Sequence, residues 1–376
     1  MSYRMKRIII ALLFTISTIS LYTQSYNSNF NQFEVKTHYG FTIPHHSYMS
    51  YLLKSNIIIG EINYSIKTDG TKSWQHTWRF PELGIGYLMG GLGNINVFGF
   101  SQSIFFFYGV PIVETERILF KYRLGTGVAF ISEKFDRRAN YYNIAIGSYL
   151  NAHLHFSLLI DYKPFEIPLY FSAGFAFNHF SSGAIETPNL GLNQITTNFG
   201  LKYLYSAYNY SLPKRTIPYL YNKELELSCY YAASFKENST YENKKYFINS
   251  VVFDIASRVT TKRSLGAGIN IIADPSIKPL MMTDYNGIHN IFRIGIHAVQ
   301  ELYFTDDLSM IIHLGTYVFN YYKENEKFLV YSKIGVRYSF ADRFFANVLL
   351  KTHTTTADYI EFGVGMRLID NSSFGY

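Results

Sequence analysis

EIPLYFSAGFAFNHFSSGAIETPNLGLNQITTNFGLKYLY, residues 166–205, reads as two β-strands joined by a short loop, with period-two alternation on both sides. In the first strand Leu169, Phe171, Ala173, Phe175 and Phe177 share one face, and His179 and Ser181 continue it, because residues i, i+2 and i+4 of a strand point the same way. The opposite face carries Tyr170, Ser172, Gly174, Ala176 and Asn178, which are smaller and more polar. An apolar stripe therefore ends in a potential base and a potential nucleophile. In the second strand Asn189, Gly191, Asn193, Ile195, Phe199 and Leu201 fall on the corresponding face.

The same alternation spreads over the chain. Of its 376 residues 18 % are aromatic, with 34 Tyr and 32 Phe, and only 16 % are charged, against roughly 25 % in an average soluble domain. Mean hydropathy is −0.01, yet no internal run approaches the ~20 apolar residues of a membrane helix. Dispersed apolar residues without a helical span are what a transmembrane β-barrel needs. Arg4, Lys6 and Arg7 followed by the apolar stretch 8–21 read as a secretory signal, with cleavage expected between Tyr22 and Ser25. Loss of those three cations lowers the formal charge from +7 to a mild excess, which gives no support for nucleic-acid binding. The single cysteine, Cys229, cannot form an internal disulfide.

Strand-like segments recur from residue 31 to residue 369, about 14–16 in all, and no helical pattern of useful length competes. In 358–369, Ile360, Phe362, Val364, Met366 and Leu368 oppose Tyr359, Glu361, Gly363, Gly365 and Arg367. In a soluble sandwich the greasy face would look inward, whereas in a membrane barrel it meets lipid. Tight gaps such as 163–164, 261–262, 305–306 and 341–342 alternate with longer ones such as 132–144, 182–188, 237–244 and 275–290. Short periplasmic turns and long external loops give that pattern. The expected division is a signal at 1–25, barrel strands carrying the site at 26–205, a connecting segment at 206–222, and further barrel strands at 223–376. The connecting segment, with Pro213 and Pro218, allows two sub-structures. One closed barrel is nevertheless expected, because two open sheets would leave unpaired edges in lipid.

With a periplasmic N-terminus, the strand at 166–181 is the seventh and rises to the cell surface. His179 and Ser181 then sit at its outer end on the lipid side, with Asn189 and Asn193 beside them. Polar side chains facing the headgroup level point to a lipid substrate. A Ser hydroxyl becomes a competent nucleophile when an imidazole takes its proton, and a third group must orient that imidazole. An amide side chain or a backbone N–H can bind the oxyanion. The reading is an esterase. The bland alternative is a polar interfacial rim on a non-catalytic barrel, a porin or a structural relative. Lys134, Arg137 and Arg138, in a predicted external loop, are candidates for binding lipid phosphates. His153 and His155 share a strand face, but no third metal ligand accompanies them, so neither a metal nor another cofactor is expected. His45 and His46 fall in the first external loop.

HFSSGAIETPNLGLN, 179–193, resembles the signature of the outer-membrane lipid A 3-O-deacylases, the PagL-like family, many of whose relatives are called acyloxyacyl hydrolases. NIAIGSYLNA, 143–152, and FPELGIGYLMGGLGN, 80–94, are similar to segments of longer relatives. The resemblance covers roughly 31–205. It implies an eight-stranded barrel with its site facing lipid at the outer rim, and lipid A or lipopolysaccharide in the bacterial outer membrane as partner. It makes His179 the general base and Ser181 the nucleophile, with Asn189 contributing to the oxyanion site. Ser182 stands where these enzymes often have Asn. Their third catalytic residue is Glu, and here the matching residue is Asn193, with Glu186 in the connecting loop as the other candidate.

Overall fold

The computed structural model describes residues 30–44, 47–205, 215–216, 225–238, 244–280, 291–320, 329–341, 343–353 and 356–369. The expected signal at 1–25, His45, His46 and nearly all of the connecting segment 206–222 lie outside the described residues. Alternating sequence becomes extended strand almost throughout. In the first half β1 (Phe30–Ile43), β2 (Ile57–Lys67), β3 (Glu82–Gly91), β4 (Phe100–Glu114), β5 (Ile118–Ile131), β6 (Leu150–Tyr162), β7 (Leu169–Ser181) and β8 (Leu192–Leu204) pair in order, and β8 closes on β1. In the second half β9 (Leu225–Glu237), β10 (Lys245–Thr260), β11 (Arg263–Ala273), β12 (Phe292–Tyr303), β13 (Leu308–Asn320), β14 (Val330–Phe340), β15 (Phe344–His353) and β16 (Thr356–Ile369) do the same, and β16 closes on β9. Among the described residues helix is confined to α1 (Ser47–Ser50), α2 (Ser73–Thr77) and the 3-10 segment Pro275–Leu280.

All pairings are antiparallel and the strand total is the upper end of that expected. The closure differs from the single sheet expected: there are two closed barrels of eight strands each. The physical demand is the same in both cases, since each backbone N–H and C=O at membrane depth must be paired within the protein. Two complete closures meet it as well as one does.

Each strand sorts its residues by parity. On β1 the side chains of Phe33, Val35, Tyr39 and Phe41 are exposed, whereas Gln32, Glu34, Lys36 and His38 are buried. The buried charges are paired. In the first lumen Lys36 lies 2.7 Å from Glu61, and Lys121 lies 2.9 Å from both Glu82 and Asp161. Arg123 bridges Glu34 and Glu82, and Lys202 binds Asp161. The second lumen repeats the device with Arg337–Glu301 at 3.0 Å, Lys333–Glu361 at 2.9 Å and Lys351–Asp358 at 2.6 Å. Breaking any one of these pairs would leave a buried charge uncompensated, at a cost of about 3–5 kcal/mol. Polar and charged residues line both lumens beside buried apolar clusters, and the exposed large hydrophobic side chains lie on the outward faces.

The outer end of the first lumen is closed by an apolar cap. Met49 from α1, Ile57, Ile59, Leu88, Leu92, Phe98, Ile131, Ala145, Ile146, Phe180 and Leu192 form one buried cluster there. Phe180 and Leu192 are the inward-pointing neighbours of the residues singled out above.

The barrels touch at both rims. At the rim that carries the β2–β3 and β12–β13 connections, Trp78, Tyr108, Val110 and Phe304 form a buried cluster. The Trp78 indole N–H donates to the Tyr303 carbonyl at 2.8 Å, and the Tyr108 hydroxyl donates to the Phe304 carbonyl at 2.9 Å. The Lys262 ammonium lies 4.1 Å from the centre of the Trp78 ring. At the outer rim the β7–β8 loop meets the upper ends of β9, β10 and β16.

Candidate active site

β7 and β8 pair in a register that sets His179 directly opposite Asn193 and Phe180 opposite Leu192. Phe180 and Leu192 are fully buried in the apolar cap, and Phe180 stacks on His153 with ring centres 4.7 Å apart. Because adjacent strand residues point to opposite faces, fixing Phe180 and Leu192 inward turns His179, Ser181 and Asn193 outward. Phe171, Phe175, Ile195, Phe199 and Leu201 on the same outward face are exposed, so this face is the one that meets lipid. His179 Nδ1 and Asn193 Oδ1 are 2.6 Å apart. Ser181 ends β7 two residues beyond His179 on the same face, and it is 6 % exposed under the loop that follows. No hydrogen bond of the Ser181 hydroxyl is made among the described residues.

The loop after Ser181 is pinned from within. The Ser182 N–H donates to Asn189 Oδ1 at 2.7 Å, the Ser182 hydroxyl donates to the same oxygen at 3.1 Å, and that hydroxyl also lies 2.9 Å from the Glu186 carbonyl. Asn189 Oδ1 is thus occupied, and its Nδ2 is the atom left to meet a ligand. Gly191 has φ +74°, and a Cβ there would lie 2.9 Å from His179 Cε1 and 3.4 Å from Ser181 Cβ. The Pro-Asn-x-Gly turn therefore bears directly on the imidazole. Behind it runs the segment that begins at Asn143: the Gly191 N–H donates to the Ala145 carbonyl at 3.0 Å, and a Cβ on Gly147 would strike the Pro188 carbonyl at 2.7 Å. Parity could have identified Phe180 and Leu192 as anchors. Nothing in the local sequence marks Gly147 as the support of this turn.

The other expected residues fall in two groups. Glu186 is turned from the imidazole: its carboxylate lies 2.9 Å from the Lys245 ammonium and 3.8 Å from that of Lys134. Lys134 also stands 5.1 Å over the Tyr149 ring. Arg137 and Arg138 are exposed in the same external loop, where Asp136 Oδ1 accepts from the N–H groups of Arg138 and Ala139, both at 2.8 Å. These two hydrogen bonds to the charged form, more than the neighbouring cations, hold the Asp136 carboxyl below the usual range. His153 and His155 point into the first lumen and share the side-chain oxygen of Asn178, at 3.0 and 2.8 Å. In the second lumen Asp254, His297 and His313 converge within 4.8 Å of one another, with Arg337 already 3.8 Å from the same carboxylate.

Two family models match, one to each barrel. Residues 58–202 match the lipid A 3-O-deacylase (PagL) family, and residues 225–371 match the acyloxyacyl hydrolase, C-terminal domain, family. No curated protein matches the chain. Among solved structures, the outer-membrane enzyme PagL is 19 % identical over 46 % of this chain and 99 % of its own, with a TM-score of 0.30. The Acinetobacter baumannii outer-membrane protein Omp33 is 6 % identical over 90 % of this chain and 99 % of its own, with a TM-score of 0.18. The TodX deltaS2S3 mutant, a monoaromatic hydrocarbon channel, is 9 % identical over 92 % and 91 %, with a TM-score of 0.18. With its strands closed into membrane barrels, this chain is a bacterial outer-membrane protein whose first barrel matches the lipid A 3-O-deacylase (PagL) family and whose second matches the acyloxyacyl hydrolase C-terminal domain.

Proposed function

We propose that this protein is an outer-membrane carboxylic ester hydrolase that removes an ester-linked acyl chain from lipid A, with Ser181 as nucleophile and His179 as general base. The observation that carries the reading is the 2.6 Å contact between His179 Nδ1 and Asn193 Oδ1 on the lipid side of β7 and β8, with Ser181 next along the same face. An amide oxygen only accepts, so in this reading Nδ1 carries the proton and Nε2 is left to act on Ser181. Asn193 takes the third position, since Glu186 is held by Lys245 and Lys134.

Ser181 Oγ attacks the ester carbonyl carbon while its proton passes to His179 Nε2. The carbonyl oxygen becomes an oxyanion, with Asn189 Nδ2 as its donor and Ser182 holding that side chain in place. Collapse of the intermediate breaks the bond to the sugar oxygen, which leaves with the proton from His179. Water, deprotonated by the same imidazole, then attacks the acyl-enzyme and releases the fatty acid. Lys134, Arg137 and Arg138 stand on the external side, where phosphates of lipopolysaccharide would meet them. Burial of the buried charges in pairs across both lumens argues against the alternative of an open porin.

Mass spectrometry of lipid A from cells expressing the wild type, Ser181→Ala and Asn193→Ala tests the reading. The wild type removes one acyl chain, Ser181→Ala removes none, and Asn193→Ala is slowed roughly a hundredfold, as expected for loss of a group that orients a catalytic base. Identical acylation in all cells, including those without the protein, rules the activity out.

A further inference from the structure

The active-site loop is held by the second barrel as well as by its own. The Thr187 N–H donates to Glu237 Oε2 at 2.6 Å, and the Glu237 N–H donates to the Ala184 carbonyl at 3.1 Å. Glu237 thus receives and gives a hydrogen bond across the loop. Beside it, Lys245 at the start of β10 binds Glu186 at 2.9 Å. Gly183, with φ +59°, packs so closely on β16 that a Cβ would come within 2.3 Å of Ile360 Cγ1. Ala184, Thr187 and Asn189 form one wall of a cleft of about 360 Å³, and Lys236, Glu237 and Asp358 form the other. Every residue between the nucleophile and the oxyanion donor is therefore within one or two positions of a tie to the second barrel.

We propose that the second barrel is a clamp for the catalytic loop, with Glu237 as the principal positioning residue and Lys245 as its support. Glu237 touches no reacting atom. It fixes the backbone at Ala184 and Thr187, and through that backbone the side chain of Asn189, whose Oδ1 already binds Ser182. The catalytic consequence of the clamp rests on the deacylase reading, and the tie itself is independent of that reading. A donor that must meet an oxyanion at 2.7–3.1 Å loses most of its effect when displaced by about 1 Å.

The test uses the full chain, purified in detergent with short-chain lipid A, and compares the wild type, Glu237→Ala, Glu237→Gln and Ser181→Ala. Glu237→Gln keeps an acceptor for the Thr187 N–H and retains activity. Glu237→Ala loses roughly ten- to a hundredfold in kcat, with KM within about twofold. A nitroxide at Ile185→Cys, in a Cys229→Ser background, reports loop mobility in the same proteins and rises in Glu237→Ala only. Heat-dependent gel mobility checks that both barrels remain closed. A kcat within twofold of wild type in Glu237→Ala overturns the positioning role. If the wild type leaves lipid A intact, the deacylase reading fails, and the spin label alone decides the clamp: unchanged mobility in Glu237→Ala overturns it.

Discussion

At the level of single residues, Asn193 departs most from the family pattern. It holds the imidazole at 2.6 Å as a carboxylate would, but it brings no charge to offset the imidazolium that the proposed attack by Ser181 would form. Asn193→Asp supplies that charge at the same register position. It raises kcat by roughly tenfold, measured as the rate of acyl release, because the added interaction is stronger in the transition state than in the ground state. An unchanged or lower rate would show that the amide serves for more than its geometry. The His179, Ser181 and Asn193 triplet was legible in the sequence because a strand has a period of two and a hairpin has one register per loop length. The fate of Glu186 was not. Its carboxylate is claimed by Lys245, which lies 59 residues away along the chain, and no local pattern reveals that.

At the level of elements, the β7–β8 hairpin is a precision mount. Phe180 and Leu192 anchor it in the apolar cap, and the Pro-Asn-x-Gly turn seats it against the segment at 143–147. Gly191 combines a positive φ with a close approach to His179. Gly191→Ala therefore costs about 1–2 kcal/mol of backbone strain and pushes the imidazole from its place. Deacylation falls roughly tenfold while heat-dependent gel mobility shows a closed barrel. Full activity in this variant would show that the turn does not set the imidazole. The strands themselves were readable from alternation, and the turn at 261–262 from its dipeptide, whereas the connection expected at 163–164 spans 163–168. The short α2 was not: residues 68–75 look like an over-long turn until Trp78, just beyond the helix, is seen packed against Tyr108 and Phe304.

At the level of the whole molecule, two polar interiors are filled by ion pairs and two apolar exteriors face the membrane. Interiors crossed by ion pairs are expected not to conduct. The purified protein in planar bilayers should give no steady ionic current, and stepwise single-channel openings would favour the porin reading instead. The barrels are joined near both rims, by the Trp78 and Tyr108 contacts below and by the Glu237 and Lys245 contacts above. This arrangement places a surface of the second barrel next to the proposed catalytic loop.

The amino-acid sequence by itself determined the all-β membrane class, a range of about 14–16 strands and the face of the strand that His179 and Ser181 share with the exposed Phe171 and Phe175. All of these follow from side-chain alternation, which is local. Only the tertiary structure decided that β8 closes on β1 and β16 on β9. Strand closure is made by backbone hydrogen bonds, and an alternating edge strand is equally ready to pair with either neighbour, so the side-chain pattern is the same for one barrel or two. The ties from Thr187 to Glu237, 50 residues apart, and from Trp78 to Tyr303, 225 residues apart, exist only once both closures have been made.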